Sequence, residues 1–135
     1  MKKFFVLLIA LMLLVPIIAM AADSEYTVTF AWDDTNEKTE GYRWELFMTD
    51  TPGSYDLTTP ATVIDYVDGQ TVFESNSLLV ITGLPGEIKT KYFVIRAVQN
   101  EIPSGLSNEV SYAFPIPMTA PFSLSIKVVT PKPVE

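Results

Sequence analysis

Alternation with a period of two runs along most of this chain, and it limits the fold more than any other feature. In "EYTVTFAW", Tyr26, Val28, Phe30 and Trp32 alternate with Thr27, Thr29 and Ala31. In "YRWELFM", Tyr42, Trp44, Leu46 and Met48 alternate with Arg43, Glu45 and Phe47. Phe93, Ile95 and Ala97 repeat the pattern against Val94, Arg96 and Val98. Side chains two apart share one face of a strand, so each segment presents one apolar face. No window carries an apolar stripe at helical spacing. Turn signals fall between the alternating runs: the polar stretch Asp33–Gly41, Pro52-Gly53, Asp68-Gly69 and "QNEIPSG". Strand candidates at "ATVIDYV", Ser77–Thr82 and "LSNEVSYAF" complete a series spaced roughly ten residues apart, which predicts an all-β sandwich.

The first 21 residues stand apart from this series. Lys2 and Lys3 precede "FFVLLIALMLLVPII", an uncharged apolar run from Phe4 to Ile18. Ala19, Met20 and Ala21 then offer small residues at the positions a signal peptidase requires. A retained membrane anchor is the other reading. The run is shorter than the ~20 residues that span a bilayer, and Pro16 interrupts it. Cleavage after Ala21 is therefore expected, giving a secreted or periplasmic protein with no membrane association after cleavage. Residues 22–116 form the expected sandwich, and residues 117–135 a Pro-rich linker with a strand-like tail.

Two of the nine basic residues and none of the sixteen acidic ones lie before the cleavage site, leaving seven against sixteen, a net −9. Such a domain lacks the cationic patch that nucleic acid or an anionic membrane surface needs. Cys and His are both absent. No disulfide can hold this small secreted domain, so its core must. The same absence removes Ser-His-Asp triads, Cys nucleophiles and His/Cys zinc sites. A carboxylate pair alone needs a cleft that a sandwich of about 100 residues with short loops does not offer. The expectation is no enzyme, no cofactor and no metal. Asp33, Asp34, Asn36, Glu37 and Glu40 lack the spacing of a calcium loop and read as a solvated turn. Neither an RGD sequence nor an N-glycosylation sequon is present.

The order of "VTFAWD", "GYRWELF", "TGLPG", "YFVIRAV" and "GLSNEV" resembles that of a fibronectin type III domain. The likeness covers about residues 26–114 and is closest to small secreted bacterial proteins of that kind. It implies an immunoglobulin-like, seven-stranded, two-sheet sandwich with strands A to G. Trp32 would then be the core tryptophan of strand B, with Val28 and Phe30 beside it. Tyr42 and Trp44 would face inward from strand C, Leu79 and Ile81 from strand E, and Phe93, Ile95 and Ala97 from strand F. Leu84 would be the leucine that follows strand E.

The sequence departs from the resemblance twice. Counting back by twos from Phe93 lands on Lys91, where the family has a tyrosine whose hydroxyl bonds to nearby backbone. Either Lys91 sits at the strand's end with its stem packed and its ammonium in water, or a bulge turns Tyr92 inward. In addition, strand A is missing: cleavage leaves only "ADSE" ahead of Tyr26, whereas the fitting segment, "APFSLSIKVV", lies at the C-terminus. Without strand A the sandwich keeps an open edge beside strand B. About residues 121–129, with Phe122, Leu124, Ile126 and Val128 in alternation, could fill that position within the chain. They could equally fill it in a neighbouring molecule, or follow Pro115, Pro117 and Pro121 as a mere spacer.

The functional expectation is a secreted, non-catalytic binding or structural module that contacts a protein or a surface glycan. The alternative is an assembly subunit that docks or polymerises by donating its C-terminal strand. Phe47 and Tyr92, out of phase with the core on neighbouring strands, are the candidate ligand-binding residues, forming an aromatic patch on the outer face of the C–F sheet.

Overall fold

The computed structural model describes residues 20–118. The expected tail strand and nearly all of the leader fall outside them. Seven strands make up the fold: β1 (Ala22–Trp32), β2 (Arg43–Thr49), β3 (Thr62–Asp65), β4 (Phe73–Gly83), β5 (Ile88–Gln99), β6 (Ile102–Pro103) and β7 (Val110–Pro115). All pairings are antiparallel. β1 and β4 form one sheet, and β3-β2-β5-β6 form the other, with β7 also paired to β5. The all-β, two-sheet expectation is met at this level. β1 begins at Ala22, directly after the expected cleavage site.

The alternation read from the sequence sets which faces meet. Tyr26, Val28 and Phe30 turn inward from β1, and Leu79 and Ile81 from β4. Against them pack Leu46 of β2, Phe93 of β5 and Phe114 of β7, with Ile116 closing the end. Phe93 meets Phe30 with ring centroids 5.0 Å apart, and Phe114 meets Tyr26 at 5.0 Å in an edge-on contact. Strands β1 and β4 pair along all eleven residues, from Ala22↔Gly83 to Trp32↔Phe73. β4 thus starts four residues earlier than its apolar core suggests. Its first half, "FESN", is mostly polar and is held by pairing with β1. The last strand is shorter than expected, because Leu106–Glu109 are not in strand and only Val110–Pro115 pair with β5.

Two turns have clear causes. Leu84-Pro85-Gly86-Glu87 is closed by a bond from the Glu87 amide to the Leu84 carbonyl (2.9 Å), with Gly86 at φ +81°. Proline followed by a positive-φ glycine is the chemistry of a type II turn. Between β5 and β6, Asn100 and Glu101 both take positive φ, 51° and 61°. Two left-handed residues match the strand twist in a two-residue hairpin. Glutamate is a poor choice for that conformation. Here its carboxylate meets the Arg43 guanidinium through two bonds of 2.9 and 3.0 Å.

The corner into β5 is unbulged. Ile88–Phe93 pair in unbroken register with Val110–Pro115, and Tyr92–Val98 with Arg43–Thr49. Tyr92 therefore lies on the outer face, and Lys91 keeps the inward phase. The Lys91 stem is mostly covered, with 15% of the side chain exposed, and its ammonium pairs with the largely exposed Asp50 carboxylate. Exposed pairs contribute little. Lys91→Met, which keeps the packed stem, should change unfolding free energy by less than about 1 kcal/mol in urea titrations.

Candidate functional site

Three places were candidates for function, and the structure treats them differently. On the outer face of the β2–β5 pair, Phe47 opposes Val94, and Tyr92 opposes Thr49, so the two aromatics are diagonal neighbours. They do not form an open patch. Phe47 is 1% exposed, while Tyr92 is half-buried. The Arg96 guanidinium lies 4.9 Å from the Phe47 ring centre. It also bonds the buried Glu45 carboxylate at 2.7–2.8 Å and the Leu57 carbonyl at 3.1 Å. Glu45 in turn sits 3.5 Å from Arg43, which holds Glu101. This face is a ladder of alternating charges, with Phe47 sealed beneath it. Alternation identified the face of Phe47, but it could not show that Arg96 would cover it.

The polar stretch after β1 is more ordered than a solvated turn. Asp34 projects under the sandwich, with 7% of its side chain exposed. Its Oδ2 accepts from the Tyr42 hydroxyl at 2.6 Å and from the Trp44 Nε1–H at 2.7 Å. Its Oδ1 accepts from the Asn36 backbone and side-chain amides at 2.9 and 2.8 Å. The Lys38 ammonium stands 3.7 Å away and donates to the Asp34 and Asn36 carbonyls. Burial alone pushes the Asp34 carboxyl up. Bonds from Tyr42, Asn36 and Trp44, with Lys38 nearby, outweigh it and hold the group below its ordinary 3.8. The same burial and the Asp34 carboxylate push the Tyr42 phenol up to about 12. Asp33, Glu37 and Glu40 are exposed around this node. Among the described residues no three acidic groups converge as metal ligands. Asp34 ties the loop to the aromatic end of the core.

The third place is the open side of the sandwich. Among the described residues β1 pairs only with β4, so its other edge carries unpaired backbone groups along eleven residues. Across from that edge, Val110 and Tyr112 share a face with the fully buried Phe114. Yet Val110 is 49% and Tyr112 59% exposed. Among the described residues no strand faces these core-phase apolar side chains. Between the β1 edge and the β6–β7 connection lies a groove of about 350 Å³, lined by Phe30, Trp32, Leu46, Phe93, Ser107 and Val110. Trp32, half-buried on its wall, has a buried Nε1–H with no acceptor among the described residues. The sequence led to the expectation of an open edge beside the first strand, and among the described residues that edge is unpaired. The exposure of Val110 and Tyr112 was not legible, because it depends on what lies opposite them. Comparison with protein-family models, with curated proteins and with solved structures returned no match.

Proposed function

We propose that the chain is a secreted, non-catalytic module of the fibronectin type III kind that works by contact with protein, accepting an extended strand along β1. The observation that carries this reading is the open side: an eleven-residue edge unpaired among the described residues, beside exposed core-phase apolar residues. An unpaired edge offers main-chain hydrogen bonds to an extended peptide, and pockets beside it select alternate side chains. Surface glycan is the other partner class consistent with the sequence. Unpaired backbone favours polypeptide, because strand addition uses its amides and carbonyls in register. Phe47, sealed under Arg96, has no part in this contact.

Assembly through a donated strand is the second reading. It is favoured by the coexistence in one chain of an acceptor edge and the alternating segment at 121–129. Both readings use the same acceptor, and a synthetic copy of Ala120–Thr130 tests it. The peptide is added to the full secreted chain carrying Leu124→Asp and Ile126→Asp, which spoil the chain's own copy. Saturable binding with slowed hydrogen exchange at the amides of Glu25–Ala31, weakened at least tenfold by Tyr112→Asp, is the expected result. Unchanged exchange along β1 at millimolar peptide would overturn the acceptor reading.

A further inference from the structure

We propose that the resident occupant of the open side is this chain's own segment 121–129, lying parallel to β1 and acting as a displaceable plug. The inference rests on the strand-accepting reading of that side and adds how the acceptor is kept covered. Where the described chain ends supplies the first argument. β7 runs toward the end of the sandwich where β1 begins, since Pro115 pairs with Ile88 and Ala22 with Gly83. Beyond it, the Ile116 carbonyl accepts from Gly86, and Met118 lies against Gly86. The chain thus leaves the described fold beside the mouth of the open side.

Length fixes the direction. Residues 119–121 reach only about 10 Å, whereas an eleven-residue strand is about 36 Å long. The tail can turn and run from the Ala22 end toward Trp32, parallel to β1. It cannot first cross to the far end and return antiparallel with 122–129 as the paired segment. That arrangement belongs to a tail from a second molecule. Orientation therefore separates closure within the chain from exchange between chains.

Phase and charge fit the same occupant. Phe122, Leu124, Ile126 and Val128 alternate as an inward stripe needs, and eight extended residues cover roughly 26 Å, most of the edge. They would lie over Tyr112 and Val110 and carry backbone carbonyls past the Trp32 Nε1–H. The opposite stripe is Ser123, Ser125 and Lys127. β1 and β4 contain Asp23, Glu25 and Glu74 and no basic residue, so Lys127 would bring a complementary cation to that sheet's outer face. A segment tethered three residues from its site acts at millimolar effective concentration, so even a weak strand contact stays closed until a competitor displaces it.

The absence of cysteine makes cross-linking a clean test. In the full secreted chain, parallel closure places Lys127 beside Thr29 or Ala31, within the Cα separation a disulfide tolerates. An antiparallel strand from a second copy places it beside Glu25. Mild oxidation of Thr29→Cys/Lys127→Cys and Ala31→Cys/Lys127→Cys should give a monomer with an internal disulfide from at least one pair, seen by non-reducing electrophoresis and intact mass. Glu25→Cys/Lys127→Cys should stay reduced. Ile126→Asp added to the cross-linking pair should cut the yield at least fivefold. Covalent dimers from the Glu25 pair, or no cross-link from any pair, would overturn the plug. If the Ala120–Thr130 peptide still binds along β1 in that case, the acceptor reading survives the failure of the plug.

Discussion

Asp34→Ala is expected to cost about 3 kcal/mol or more of unfolding free energy, a large share of what a domain this size possesses. The change strands the Tyr42 hydroxyl and the Trp44 Nε1–H, both on buried side chains, and each unpaired donor costs about 1–3 kcal/mol. It also frees Asn36 and Lys38, so the loop from Asp33 to Gly41 loses its anchor. Urea unfolding followed by tryptophan fluorescence reads the loss directly. Asp34→Asn keeps an acceptor and should recover part of it. The pH dependence has a definite sign. A carboxyl held below its ordinary value contributes stability that is complete above 3.8 and disappears as pH falls through the lower folded-state value. The wild type should therefore lose stability relative to Asp34→Asn only below about pH 4. Parallel pH curves for the two proteins between pH 2 and 6 would refute this account.

Phe114→Ala should be comparably severe, at about 3–5 kcal/mol. Phe114 is fully buried and touches Tyr26, Phe93 and Tyr112 at ring separations of 5.0, 6.4 and 4.8 Å. It is the only residue of β7 that reaches the core, so its removal also releases the strand from β1. Hydrogen exchange at Ser111 and Ala113 should accelerate more than at Ile95, which remains paired to β2. Equal acceleration across β5 and β7 would mean that β7 is held by its ladder rather than by this side chain.

The sequence displayed the inward faces clearly because period-two alternation and burial coincide in β1 and β4, where one side meets solvent. They part in β2, where Trp44, Glu45, Leu46 and Phe47 are all buried. A central strand covered on both faces erases the polar signal, and the cover over Phe47 comes from Arg96, distant in sequence. Asp34 was visible as an acidic loop residue. Its sign of structure was the spacing Asp34-x-Asn36, which supports a side-chain-to-backbone turn two residues on. That it also gathers Tyr42 and Trp44 depends on where β2 lies. Lys91 was resolved by register alone: unbroken pairing on both sides of β5 leaves no room for a bulge.

The pairing of β1 with β4 has a consequence for how the protein is made. Every contact in that sheet joins residues between 41 and 61 positions apart, as the Trp32↔Phe73 and Ala22↔Gly83 pairs define. Closing such loops costs entropy before any contact returns it, and high contact order slows folding to milliseconds or longer. β1 cannot pair until β4 has been made, and until then it waits with Tyr26, Val28, Phe30 and Trp32 uncovered. The β2–β5 pairs, 43 to 55 positions apart, carry the same burden, so both sheets depend on contacts that form only once distant parts of the chain have met.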